Sequence, residues 1–452
     1  AADPGPAGPS AGAAPPAGPE TDLRALYTEI LDRPDATEDS TFVGLGGDSL
    51  SYVEMSVRLE QILGALPAGW HTMPIRDLRA GPRRTSRRRT VDTGVFLRAA
   101  AIVLIVGTHI DLFTVRGGAH LLLALAGFNF ARFHLTDIPR PRRIRNLAAS
   151  VARIAVPTSL YLAVVVPLDG GYSWQNVFLL NEALGPRMGD QRDYWFIENL
   201  VYTLLALLAA IALPLVDRWE RRLPFALPVG LLAAGLTIRY GVIPVSPWDN
   251  FATPAMLFWF FALGWAAGKA SVPWQRILLT VVGAVAVFDY FGNPLREAVI
   301  VVGFVLLTWL PHLPSVAAVN RVAGVLAGSS LYIYLTHWQV YPHLQQYSRL
   351  LALLAALASG VLLGAVVEWV AQRLPRRLPF PRFALSTYRN HMAAPPAGRR
   401  SPARSGHGGK LRLASANFSR SVNCEGEPGA CKIRPGNGAR RCPADGRCGV
   451  RR

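Results

Sequence analysis

The sequence predicts an all-α chain in two parts, a small helical bundle followed by a polytopic α-helical membrane bundle of about ten spans. Three observations predict it. Hydrophobic residues make up 51% of the chain and mean hydropathy is +0.25, too oily for a soluble protein. Between about 95 and 372 the apolar residues gather into blocks long enough to cross a hydrocarbon core roughly 30 Å thick. Upstream, between about 20 and 80, apolar residues instead recur at the spacing of amphipathic helices.

Residues 1–19, "AADPGPAGPSAGAAPPAGP", bury too little apolar surface to offset ordering entropy and read as a disordered linker. Residues 20–80 follow as a compact unit. "TDLRALYTEIL" places Leu23, Leu26, Tyr27 and Ile30 on one helical face, and "LSYVEMSVRLEQIL" does the same with Leu50, Val53, Val57 and Leu63. The loop between them ends in "GGDS". About sixty residues is close to the lower limit for an independent core.

Residues 81–92 form a basic juxtamembrane linker containing "RRTSRRR", and residues 93–375 hold the spans. These are expected at about 95–113, 117–133, 147–168, 194–216, 223–241, 252–268, 275–291, 295–310, 319–341 and 350–372. With the N-terminus inside, cytoplasmic segments carry Arg83, Arg84, Arg87, Arg88, Arg89, Arg140, Arg142, Arg143 and Arg145, then Arg218, Arg221, Arg222, Lys269, Arg321, Arg373, Arg376 and Arg377. Outer loops hold little more than Arg116, Arg187 and Arg192. That bias predicts a multi-pass cell-membrane protein with both ends cytoplasmic.

The formal charge of +18 does not point to nucleic acid, because the basic residues sit in short clusters between apolar blocks and in the tail, without interleaved aromatics. Residues 376–452 read as a disordered basic tail. It contains all four cysteines, Cys424, Cys431, Cys442 and Cys448, at spacings that match no zinc pattern. No metal site is expected. The opening Ala1, with neither initiator methionine nor a basic-then-apolar leader, points to a fragment or processed form of a longer chain.

Ser49, in "VGLGGDSLSYVE", has two readings. Asp48 or Ser49 caps the helix that follows; or Gly46 and Gly47 turn the backbone tightly and leave a serine hydroxyl at a helix N-terminus, where the dipole favours an attached phosphate. "LGGDSL" resembles the attachment motif of acyl and peptidyl carrier domains, with a helix at the expected distance before it. The resemblance implies 4'-phosphopantetheine bound covalently to Ser49, a phosphopantetheinyl transferase that installs it, and an adenylating enzyme or domain that loads it.

In the first span, "FLRAAAIVLIVGTHIDLF", ten residues separate Arg98 from His109. Eleven steps of about 100° return to nearly the same helix face, roughly 16 Å further along. Ionisable groups inside a span are functional candidates, although Arg98 also reads as a snorkelling interface residue and His109 as a packing histidine. The Arg, ten residues, His arrangement resembles the first helix of the membrane-bound acyltransferase 3 family. "SSLYIYLTHWQVYP" resembles its late-span signature, matching Tyr334 and His337, and "YWFIENLVY" resembles the segment supplying Trp195, Glu198 and Tyr202. One departure stands out. The family usually has two arginines three apart entering the third span, thought to meet the phosphates of acyl-coenzyme A; here "SVARIAVP" keeps Arg153 and Pro157 but has Ser150 in place of the first, while Arg142 and Arg145 have the spacing but lie upstream.

Together the resemblances imply a membrane acyltransferase that moves an acyl or aminoacyl group from its own carrier to a hydroxyl or amine of a small molecule or sugar. His109 would be the base, near-neutral in its ordinary pKa. Arg98 or Arg153 would bind phosphate or offset developing oxyanion charge, Glu198 would be a charge partner of Arg98 or Arg153, and His337 would support catalysis or hold structure. Tethering raises the donor's effective concentration to the order of millimolar. A transporter of a carrier-delivered or lipid-linked acyl compound is the alternative, though no internal repeat supports it; a docking module with unmodified Ser49 is another.

Overall fold

The computed structural model describes residues 23–63, 66–67, 69–80, 89–184, 194–244 and 253–373, all within one compact unit. The 1–19 linker, the arginines at 83–88, Arg187, Arg192 and the tail with its four cysteines lie outside the described residues.

The N-terminal unit consists of α1 (Leu23–Leu31), α2 (Ser49–Leu63), a 3-10 turn at Trp70–Thr72 and α3 (Ile75–Ala80). α1 buries Leu23, Leu26, Tyr27 and Ile30, the face its spacing predicts. α2 differs. Its buried residues are Tyr52, Val53, Met55 and Leu59, whereas Leu50, Val57 and Leu63 are half-buried. The reason is that α2 serves two neighbours: Leu50 lines a cavity in the membrane bundle, and Val57 lies against Gly324 of that bundle.

A short strand β1 (Arg89–Asp92) leads into α4 (Thr93–His109). Asp92 caps α4 through Oδ1, which accepts the N–H groups of Gly94 and Val95 at 2.9 and 3.2 Å. Its other oxygen accepts from Arg132 Nη1 at 3.2 Å and from the Tyr52 hydroxyl at 3.0 Å, and Arg132 Nη2 donates back to that hydroxyl at 2.7 Å. One carboxylate thus fastens α2, α4 and α5 (Gly118–Phe133) together.

Next come α6 (Arg140–Val165), the short α7 (Trp174–Val177) and α8 (Asn181–Leu184), α9 (Trp195–Ala212), α10 (Pro214–Arg222), α11 (Ala226–Arg239), α12 (Pro254–Lys269), α13 (Pro273–Val287) and α14 (Pro294–Trp309). Strand β2 (His312–Ser315) pairs antiparallel with β1, Arg89 opposite Ser315 and Asp92 opposite His312. α15 (Ala317–Gly328), α16 (Ser330–Leu344) and α17 (Arg349–Arg373) complete the described chain. Every expected span coincides with a helix, the ninth broken at Ser329 into α15 and α16. By length and apolarity, however, three described helices suffice to cross a membrane, within α6, α9 and α17, or four if α10 and α11, bent by 107°, count as one. The others fall short because a 16-residue helix is only about 24 Å long.

α5 and α12 pack at the centre through small residues. A Cβ on Gly127 would lie 1.9 Å from the Phe261 carbonyl, and one on Gly264 1.7 Å from that of Ala124. At the carrier end, buried Arg143 of α6 pairs with Asp217 and Glu220 of α10 at 3.0 and 2.7 Å, and Lys269 closes the network on Glu220 at 2.8 Å. Arg239 and Arg349, outside the charge tally, bond to far-end carbonyls of Ala286 and Asp111 at 3.2 and 2.6 Å.

Arg143 and Glu220 keep 3% and 2% of their side-chain exposure, so removing one partner leaves a buried charge uncompensated. Arg143→Ala is expected to destabilise the folded chain by about 3 kcal/mol, read as a lowered unfolding temperature of the purified protein in detergent.

Candidate active site

Asp48 answers the capping question. Its Oδ1 accepts the N–H groups of Leu50 and Ser51, both at 3.1 Å, so Asp48 is the cap and the Ser49 hydroxyl is left for another use. That hydroxyl accepts from Arg98 Nη2 at 3.2 Å, while Nη1 reaches the Ser49 carbonyl at 3.0 Å. The second Asp48 oxygen pairs with Arg153 and accepts from Ser150 at 3.1 Å. Burial works against the Asp48 charge, but the Arg153 guanidinium and the bonds from Ser51 hold its pKa down to about 2. Relative to its ordinary 3.8, the carboxylate's stabilisation is complete above that pH and declines as pH falls toward 2.

The loop approaches α6 closely. Gly46 has φ +90°, and a Cβ there would lie 3.1 Å from the Asn146 side-chain oxygen; Asn146 in turn donates to the Val43 carbonyl at 3.4 Å. Only glycine meets both demands.

Below Ser49 opens a cavity. Asp48, Ser49, Arg98 and Ser150 are at its polar mouth, Leu122, Leu125, Ile197 and Leu204 are among its apolar walls, and Tyr334 is part of its lining. His134, to which the sequence gave no role, also lines it. The Tyr334 carbonyl lies 2.7 Å from Nδ1 of His337, whose Nε2 is 3.0 Å from Nδ1 of His109. The two imidazole planes are nearly parallel, 8° apart, and meet edge to edge with centroids 5.1 Å apart, and the Trp338 ring lies 4.8 Å from that of His109. His337 is fully buried, and His109, the last residue of α4, is exposed at the far end. Tyr161, Gln339, Tyr172 and Tyr194 form a hydrogen-bonded chain that ends on the Leu335 carbonyl and fixes α16 beside His337; the sequence reading missed it.

The predicted residues therefore separate. Arg98 and Arg153 gather at Ser49 and Asp48, and His109 and His337 meet at the other end of α4, about 16 Å away along the helix. Glu198, buried in α9, accepts the N–H groups of Asn181 and Glu182 at 3.3 and 2.7 Å and so holds α8, while the guanidiniums suggested as its partners lie against the carrier. Tyr202 donates to the Leu179 carbonyl at 2.6 Å in the same region. Arg142 and Arg145 are exposed.

With this geometry in hand, a family model for an acyltransferase domain, the acyltransferase 3 family, matches residues 96–372. The chain belongs to this family. A second model, for a phosphopantetheine attachment site, matches residues 21–70, so this is a membrane acyltransferase with its own carrier domain. No curated protein and no solved structure matches the chain. The carrier takes 4'-phosphopantetheine and with it a phosphopantetheinyl transferase as partner. The Ser49 surroundings fit the group: the Arg98 guanidinium touches the Ser49 hydroxyl, Arg153 neutralises Asp48, and both Ser49 and Arg98 line a cavity.

The acyltransferase also presses α2 of its carrier against the bundle through Glu54, which is hydrogen-bonded to Glu368 of α17 and forms an ion pair with Arg58 at 3.2 Å. Burial drives the Glu54 carboxyl up from its ordinary 4.5, partly offset by Glu368 and Arg58 and reinforced by Glu29. A raised acid favours the docked state below pH 4.5 and loses that contribution as pH rises above it. In a chain carrying Val57→Cys and Gly324→Cys, adding Glu54→Gln is expected to speed disulfide crosslinking at pH 7.5 and to make little difference near pH 4.5. Equal rates at both values would contradict the docking role.

Proposed function

We propose that the acyltransferase moves an acyl or aminoacyl group from the carrier at Ser49 to a hydroxyl or amine on a small-molecule or sugar acceptor, with His109 as general base. The observation that carries this is the hydrogen-bond direction through the histidine pair. A carbonyl only accepts, so His337 donates Nδ1–H to Tyr334 and keeps a lone pair on Nε2. That lone pair takes Nδ1–H of His109, which leaves His109 Nε2 unprotonated and able to accept a proton. His337 is then a positioning residue, fixing the tautomer and plane of its neighbour, as the buried partner does in other histidine-based sites.

When bound, phosphopantetheine supplies a thiol that holds the acyl group as a thioester, so transfer exchanges a C–S bond for C–O or C–N. Arg98, which bonds to Ser49, would hold the phosphate of the group, and Arg153, paired with Asp48, would limit that carboxylate's repulsion of it. Ser150, where relatives of this kind carry an arginine, donates to Asp48 instead; a donor docked as part of the chain needs fewer cations than a diffusible coenzyme. His109 Nε2 would take the acceptor's proton as its hydroxyl or amine attacks the thioester carbonyl, and would return that proton to the departing thiol sulfur. We further propose ten membrane crossings, with the carrier and the end of α17 in the cytoplasm and His109 near the outer surface, and a separate adenylating enzyme or domain that loads the carrier. The division of the chain at 1–19, 20–80, 81–92, 93–375 and 376–452 follows the same reading.

Ser49→Ala is expected to abolish both loading, seen as loss of the phosphopantetheine mass in the intact protein, and transfer. His109→Ala is expected to keep a loaded carrier but slow transfer roughly 10²- to 10⁴-fold, and His337→Ala to lower kcat while loading continues. Normal turnover in His109→Ala would remove it from the base role.

A further inference from the structure

The far end of the bundle holds two cations that the transfer scheme does not use. Arg116, exposed in the loop between α4 and α5, is within electrostatic reach of both His109 and Arg296. Arg296, in the first turn of α14, is half-buried with its guanidinium 3.5 Å from the Phe291 ring centroid. Its Nε is buried without a hydrogen-bond partner. One terminal nitrogen stands 3.5 Å from both ring nitrogens of His120, too long to be a strong bond. His120 is itself buried, with Trp195, Phe260 and Phe291 rings 5.8, 5.1 and 4.7 Å away.

Among the described residues no carboxylate pairs with either arginine. Glu297, the nearest in sequence, gives its oxygens to the N–H groups of Asp289 and Phe291 at 3.0 and 3.1 Å, and the Asp111 carbonyl is taken by Arg349 at 2.6 Å. Two neighbouring cations, one partly withdrawn from water, are unfavourable unless an anion joins them. Stacking on Phe291 holds one face of the guanidinium but satisfies none of its N–H donors. A planar guanidinium with open N–H groups matches the paired oxygens of a carboxylate or phosphate.

We propose that Arg116, Arg296 and His120 form a binding site for an oxyanion, phosphate or carboxylate, carried by the acceptor, and that binding there presents the acceptor's nucleophile to His109. The site rests on the reading of His109 as base, and it narrows the acceptor to an anionic sugar or lipid. An uncharged acceptor would offer the open N–H groups of Arg296 no paired oxygens, and its position relative to His109 would be set only by apolar contact.

The test is equilibrium binding to the full chain in phosphatidylcholine nanodiscs, with glucose 1-phosphate, glucuronate and glucose as probes. Saturable binding of glucose 1-phosphate or glucuronate, with glucose silent, is expected. The affinity should fall roughly tenfold or more on loss of a charge-assisted bond in Arg296→Gln and in Arg116→Gln, and Arg296→Lys should retain part of it. Arg116 is exposed, so its variant tests the site even if Arg296→Gln fails to fold. Repeating the titration with phosphatidylglycerol in the nanodiscs separates the sources: competition assigns the site to a lipid headgroup, and unchanged binding assigns it to a soluble anion. Binding of neither anion, or binding indifferent to both substitutions, overturns the proposal. The Ser49→Ala chain, which cannot be loaded, is expected to bind the probes as well as the parent, so the result stands apart from the transfer experiment.

Discussion

Everything at the donor end depends on the Asp48 carboxylate. A buried charge is tolerated only when paired and fully hydrogen-bonded, and Asp48 meets the requirement by dividing its two oxygens between two parts of the molecule. One caps α2; the other faces α6 through Arg153 and Ser150. Because the cap is made by Asp48, Ser49 does not have to make it, and its hydroxyl turns to Arg98. Local helix capping and long-range docking are therefore one event, and the Ser49 hydroxyl is placed by the same carboxylate that starts the helix.

The rest of the contact mixes apolar and polar parts: Val95, Ala99, Phe133 and Ala327 of the bundle share one buried cluster with Phe42, Tyr52 and Trp70 of the carrier, and polar bonds run beside it. Tyr52, Asp92 and Arg132 share hydrogen bonds, and Asn146 reaches the Val43 carbonyl. In the docked position Arg98 bonds to the Ser49 hydroxyl and α15 faces Val57, so the start of α2 is held from both sides.

Much of this was legible in the sequence, and what was not has a common cause. "GGDS" marked the start of α2, and the Arg, ten residues, His spacing located both ends of α4, because those signals lie within one segment. Periodicity on α2 showed that a face is apolar but not which neighbour it meets, so Leu50 and Val57 were assigned to the wrong side. Glu198 looked like a charge partner for arginines, yet its acceptors' counterparts are backbone N–H groups of Asn181 and Glu182, which carry no sequence signature. Arg143 resembled any basic residue near a span end; only the fold brings Asp217, Glu220 and Lys269 around it. The span count suffers similarly, since helices as short as α12 owe their place to neighbours more than to their own length.

The histidine pair shows why a membrane setting shapes the choice of partner. In a water-exposed site a carboxylate commonly orients the catalytic imidazole, but a carboxylate inside a bundle adds a formal charge that must itself be paired. Here orientation passes from the neutral Tyr334 carbonyl through neutral His337 to His109. This relay adds no formal charge of its own between the helices, and it ends on His109 at the exposed end of α4. A carboxylate in the place of His337 would hold His109 equally well, but it would require a cation nearby, and Arg98, the basic residue on the same helix face, is already committed to Ser49. At the donor end Arg153 pairs with the Asp48 carboxylate and Arg98 bonds to Ser49, while at the far end the two histidines are joined by a neutral hydrogen bond.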